Sequence, residues 1–140
     1  MPVTLSHSLE AVDWQHLAGV FVRAPLGTRD GAAIEATFRN SQACCFAYAD
    51  SQLIGAGRAL TDRVSWTVIF DVVVEPEHQG QGHGKAILQS LIDQAGARNV
   101  MLQSVPGKES FYSRIGFRKM HTAMAKYTNP EWAAQSGYIE

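Results

Sequence analysis

One stretch constrains this chain more than any other: an apolar strand that runs straight into alternating glycines and then into a helix. Residues 71–84 read Asp-Val-Val-Val-Glu-Pro-Glu-His-Gln-Gly-Gln-Gly-His-Gly. That order makes an anion site. Backbone N–H groups of the loop and of the helix start converge on one point, where the helix dipole also favours negative charge. Gly80, Gly82 and Gly84 let the backbone approach a diphosphate without Cβ interference. A phosphate-bearing cofactor is therefore expected.

Two familiar phosphate loops are excluded by spacing. A Walker A loop needs Gly, four residues, then Gly-Lys-Ser/Thr. Here Gln79 stands at the upstream position, and Ala86 replaces the metal-binding hydroxyl. A dinucleotide fold needs G-x-G-x-x-G after the first strand. Here the spacing is Gly80-x-Gly82-x-Gly84, in mid-chain.

The periodicity predicts the remaining elements. A short strand covers 3–6. Asp13 caps a helix over 14–23, and Asp30 caps a second helix to about Asn40. Residues 43–49 and 52–60 form a hairpin around Ala49-Asp-Ser-Gln52. A long apolar strand covers 65–74, with both faces buried. After the glycine loop come a helix over 83–96, a parallel strand over 100–104, a helix over 108–115 and a last strand over 118–127. Asn129-Pro130 then breaks the chain, and residues 131–135 look like a short helix.

The segment Val74-Glu-Pro-Glu-His-Gln79-Gly-Gln-Gly-His-Gly84-Lys resembles motif A of the GNAT N-acetyltransferase superfamily. About 25 residues on, Ser110-Phe-Tyr112-Ser-Arg-Ile-Gly-Phe117 resembles the family's Phe-Tyr-x-x-x-Gly-Phe motif. The two motifs at this separation are far more specific than either alone. The element order β-α-α-β-β-β-α-β-α-β is also that of the GNAT fold, a mixed α/β sheet with a splayed central parallel pair. The family usually adds a seventh strand. The chain departs from the family at Val105, where many members carry Asn, and at Lys108, where many carry Ala.

The resemblance implies acetyl transfer from acetyl-CoA to a primary amine by direct attack, on a small-molecule or peptide amine. The alternatives are a non-catalytic acyl-CoA-binding sensor or a nucleotide-binding regulatory domain. It implies cofactor contacts from Val72, Val73 and Val74 on the central strand and from Gln79, Gly80, Gln81, Gly82, His83, Gly84 and Lys85 in the loop. Ser104 and Lys108 are implied further along. Pantetheine would pair with the backbone near Val73 and Val74, and a freed N–H there would polarise the thioester carbonyl.

Tyr112 is the catalytic candidate. Its hydroxyl (pKa about 10 in model compounds) could protonate a departing thiolate (about 8.5) at modest cost. It could equally be a core aromatic. Asp71 sits where an apolar residue is expected, and a carboxylate there costs energy unless partnered. It could act as general base, orient the acceptor ammonium or make a structural hydrogen bond. Glu75 and His121 are weaker bases. Cys44 and Cys45 have no basic setting that would make them nucleophiles. The loop 24–29 and the second helix, with Arg29, Asp30 and Glu35, face the acceptor or simply solvent.

Composition narrows the partners. The 140 residues are the size of one domain and are 46% hydrophobic and 18% charged, which is globular. A net charge of −1 invites no nucleic acid. No apolar run approaches the roughly 20 residues that span a membrane. Glu10 and Asp13, with no basic start, argue against a secretory signal. Adjacent Cys44 and Cys45 point to opposite faces of a strand and suggest reduced thiols in the cytoplasm. No Cys/His spacing suggests a metal. Homodimers are common in the family, and the resemblance leaves one open.

Overall fold

The computed structural model describes residues 2–140. They pack as two compact units, which meet in sequence between Leu102 and Gln103.

The first unit is built on a five-stranded sheet of order β1-β2-β3-β4-β5. The strands are β1 (Val3–Ser6), β2 (Ala43–Ala49), β3 (Gln52–Thr61), β4 (Trp66–Val74) and β5 (Asn99–Leu102). All neighbours are antiparallel except β4 and β5, which run parallel through a helical crossover. Three helices belong to this unit: α1 (Trp14–Arg23), α2 (Gly31–Arg39) and α3 (His83–Ala95). Asp13 caps α1 by accepting the His16 N–H, and Asp30 caps α2 by accepting the Ala32 N–H, as the sequence predicts. Gly96 ends α3 in the left-handed conformation at φ 68°.

One layer of core joins α1 and α2 to the sheet. Leu17, Val20, Phe21, Ile34 and Phe38 are fully buried against Phe46, Ala56 and Val73. Trp14, Phe38 and Phe46 pack ring to ring, at 5.4–5.9 Å between centroids. The α3 layer presents Ile87, Leu88 and Leu91. It sits so close to β3 that a Cβ on Gly57 would lie 2.8 Å from Ile87 Cγ2 and 3.0 Å from Leu91 Cδ1. Glycine there sets the depth at which α3 docks.

The strand β4 carries a bulge. Ala56 pairs with Val73 and Arg58 with Phe70, so Gly57 alone stands opposite both Asp71 and Val72. Asp71 adopts a left-handed φ of 58°, uncommon for a residue other than glycine. The β4–β5 ladder ends two residues before Asp71, at Ile69 opposite Leu102. Thus β4 runs on for Phe70–Val74 without β5 beside it. This matches the splayed parallel pair expected from the sequence.

The second unit contains α4 (Glu109–Ser113) and α5 (Pro130–Gln135). Asn129 caps α5 by accepting the Trp132 N–H, with Pro130 at the first helical position. Trp132 stacks on Tyr138 at 5.6 Å, and Tyr127 packs against both.

The strand expected over 118–127 does not form; the segment is irregular throughout. Its Ala, Met, Lys and His residues have little strand propensity. Met120 and Met124 are also exposed, so the alternation buries no face. No seventh strand occurs among the described residues. No helix there is long and apolar enough to cross a membrane.

Candidate active site

The glycine loop begins where β4 ends. A single 3-10 turn, Pro76–His78, leads into it. Gln79 Nε2 donates to the Val74 carbonyl at 2.9 Å, which ties the loop to the strand end. Gln79 was expected among the phosphate contacts; its side chain serves as this brace. Gly80 and Gly82 take φ values of 77° and 87°, so a side chain at either would be strained. An ideal Cβ on either would meet nothing within 4 Å, so the space over the loop is open.

Gly82 is the N-cap of α3, offers no side-chain cap and is followed by no acidic residue in the first turn. The first helical bond runs from the Ala86 N–H to the Gly82 carbonyl. The N–H groups of His83, Gly84 and Lys85 therefore have no acceptor within the helix. The backbone geometry needed to cradle a diphosphate is in place. His83 Nε2 lies 3.3 Å from Gln81 Oε1, and Lys85 is exposed.

Of the central-strand residues, Val73 and Val74 are buried and Val72 is half-buried. Their backbone lies on the part of β4 that β5 does not reach.

Asp71 is held by two arginines. Arg29 Nη2 donates to Oδ1 at 2.8 Å, and Arg58 Nε donates to Oδ2 at 2.7 Å. Each guanidinium also stacks on an aromatic ring, Arg29 on Phe21 and Arg58 on Phe70. Burial alone would push the Asp71 carboxyl up, but the hydrogen bonds from Arg29 and Arg58 outweigh it and hold the group below its ordinary value. A carboxylate fixed in this way is a poor proton acceptor. Of the three roles open to Asp71, the geometry favours the structural one.

Glu75 is buried and paired twice with Arg23, Nε to Oε1 at 2.5 Å and Nη2 to Oε2 at 2.9 Å. Hydrogen bonding from Arg23 is the main cause that lowers its carboxyl. It pins the end of β4 to α1 and is likewise a weak base. Both cysteines are buried and free. Burial pushes the Cys44 thiol up to about 11 and also raises Cys45, so neither is an activated nucleophile. No cluster of metal-ligating side chains occurs among the described residues. A shallow hollow lined by Pro2, Thr4, Tyr48 and Asp50 contains none of the expected site residues.

In the second unit, Tyr112 lies on α4 between Phe111 and Phe117, edge-on to both rings. Burial raises its phenol above the ordinary value, which keeps it protonated. Its hydroxyl has no hydrogen-bond partner among the described residues. Lys108 is the N-cap of α4, and Ser104 Oγ donates to the Val105 carbonyl at 2.9 Å. His121 is exposed in the irregular segment.

The acetyltransferase (GNAT) domain model matches residues 15–127, most of the chain. The protein belongs to the GNAT acetyltransferase family.

Relatives agree with this placement. A chloroplastic GCN5-related N-acetyltransferase of Arabidopsis thaliana is 31% identical over 118 residues, covering 81% of this chain and 60% of that protein. An uncharacterized N-acetyltransferase of Pyropia yezoensis is 39% identical over 74 residues, which is 51% of this chain and 42% of that protein. This GNAT chain thus spans about 60% or less of the length of these two relatives. The same fold occurs in a solved structure from Deinococcus radiodurans described as a putative acetyltransferase, with a TM-score of 0.79 at 22% identity, covering 94% of this chain and 92% of that one. A probable acetyltransferase of Staphylococcus aureus gives 0.78 at 20% identity, covering 90% and 98%.

Sequence reasoning missed the partners of Asp71 and Glu75. Arg58 and Arg23 were not singled out, and Arg29 was placed only with the acceptor loop. The one available signal was Asp71 itself, because a carboxylate in an apolar strand must find cations.

Proposed function

We propose that this GNAT protein transfers acetyl from acetyl-CoA to a primary amine by direct attack. One observation carries the reading. A central strand outruns its parallel neighbour by five residues, Phe70–Val74, and then feeds an uncapped helix N-terminus through a glycine loop. The free edge of β4 near Val73 and Val74 would pair with pantetheine. The N–H groups of residues 80–85 would hold the pyrophosphate, with His83 and Lys85 beside them. Ser104 and Lys108 would complete the cofactor contacts. The family model crosses the boundary between the two units, which supports counting 1–140 as one functional domain.

The acceptor attacks as the free amine. An N–H of β4 stabilises the oxyanion, the C–S bond breaks as Tyr112 protonates the departing sulfur, and the proton lost by the newly acylated nitrogen returns to the Tyr112 phenolate through solvent. Asp71 is assigned to shaping the site, not to proton abstraction, because Arg29 and Arg58 hold it ionised. Two buried free thiols support a reducing, cytoplasmic setting. A non-catalytic acyl-CoA sensor is the second reading, favoured by the absence of a strand over 118–127.

Screening a panel of amines for release of free CoA tests the reading. Release that depends on an amine supports transfer. Tight CoA binding with no release from any amine supports the sensor.

A further inference from the structure

Two guanidiniums converge on one carboxylate at the β4 bulge, one more cation than neutralising Asp71 requires. Asp71 spends both oxygens on them: Arg29 donates from both terminal nitrogens, and Arg58 donates from Nε. Arg58 Nη1 reaches Ser41 Oγ at 3.3 Å. Among the described residues, Arg29 Nε and Arg58 Nη2 have no hydrogen-bond partner. Among the described residues, no other carboxylate forms a salt bridge with Arg29 or Arg58. The cluster therefore carries a net charge of about +1 in a place where solvent screens poorly.

It is also within reach of a solute. The Arg29 side chain is 31% exposed, against 13% for Arg58 and 14% for Asp71. Arg29 ends the loop between α1 and α2. Its aromatic support, Phe21, fixes the guanidinium plane, so little ordering is needed to engage a ligand.

We infer that the acceptor amine carries an anionic group, a carboxylate or a phosphate, and that the Arg29–Arg58 pair reads it. This rests on the acetyltransferase reading and adds a substrate class to it. The free Arg29 Nε–H and Arg58 Nη2–H would each give a charge-assisted hydrogen bond to either anion. The same excess charge disfavours a second ammonium on the acceptor.

The test compares matched acceptors that differ only in this group: β-alanine with β-alaninamide, aminoethyl phosphate with ethanolamine, and serotonin as an anion-free aromatic amine. Two readouts are taken, kcat/KM with acetyl-CoA and calorimetric binding to the CoA-loaded protein. The wild type should prefer the anionic member of at least one pair by about 10-fold or more, the worth of a charged hydrogen bond. The pair that responds distinguishes carboxylate from phosphate. Arg29→Met should collapse that ratio, and Arg29→Lys should keep part of it. If Arg29→Met fails to fold, the wild-type ratios and the Lys variant still decide. Equal use of both members, or preference for serotonin and the neutral amines, overturns the anion proposal and leaves acetyl transfer standing. Anion-selective binding without turnover of any amine supports the anion site and counts against the enzyme reading.

Discussion

Arg58 lies opposite Phe70 in the sheet, yet its guanidinium reaches 2.7 Å to the carboxylate of Asp71, the left-handed residue of the bulge. The ion pair and the bulge hold each other in place. Without the bulge, the Asp71 side chain would alternate to the other face of β4. Without Arg58 and Arg29, burial would push that carboxyl up instead of leaving it below its ordinary value.

Asp71→Asn should therefore damage stability more than chemistry. It leaves two partly buried cations facing a neutral amide. The loss should be about 2–4 kcal/mol, near the range for breaking a buried pair, read from the urea midpoint. The pH dependence has a fixed sign. Because the folded carboxyl lies below its unfolded value, its contribution is present above about pH 4 and fades as pH falls through the folded value. The acid limb of the stability curve should be shallower in the variant. A fully stable variant whose rate drops only at low pH would restore the general base.

Gly57→Ala should be costly although Gly57 is not among the glycines with a left-handed φ. The new Cβ would stand 2.8 Å from Ile87 Cγ2. Overpacking of this kind costs about 1–3 kcal/mol. Combining it with Ile87→Ala should give less than the sum of the two losses, because each change makes room for the other. Strict additivity in denaturation would show that α3 docks elsewhere.

At the cofactor loop, Gly84→Val is the clean test. Gly82 and Gly80 have positive φ, so valine there would add backbone strain to any effect on binding. Gly84 lies inside the first turn of α3 and is not among the glycines with a left-handed φ. The variant should fold with a near-normal melting temperature and lose CoA affinity at least 100-fold by calorimetry. Retained affinity would move the pyrophosphate away from this loop.

Much of this was legible from the residues. The caps at Asp13 and Asp30, the hairpin, the long strand and the glycine loop follow from local chemistry, and all appear within a residue or two of their expected limits. The strand expected over 118–127 does not form, because its apolar residues find no face to pack against. Alternation cannot say whether a face has a partner, and Met120 and Met124 have none that buries them. Asp71 was legible as an anomaly but not as an ion pair. Its partners lie 42 and 13 residues away, and only the fold brings them together.

Tyr112→Phe removes one hydroxyl and keeps the ring packed between Phe111 and Phe117. CoA affinity should be unchanged. Turnover should fall by about 10²–10⁴, mainly in kcat, since the interaction strengthens as the sulfur gains charge. Wild-type turnover in the variant would assign the proton to water or another donor.

The most direct measurement is to incubate the protein with acetyl-CoA and the amine panel, and to follow free CoA and the acetylated amine together by mass spectrometry. Acetyl transfer predicts equal amounts of both, with at least one amine. It also predicts that CoA at about 100 times its dissociation constant stabilises the fold by about 2.7 kcal/mol, with NAD and ATP doing much less. CoA binding with no acetylated product from any amine would contradict the enzyme, and equal stabilisation by NAD would contradict the cofactor.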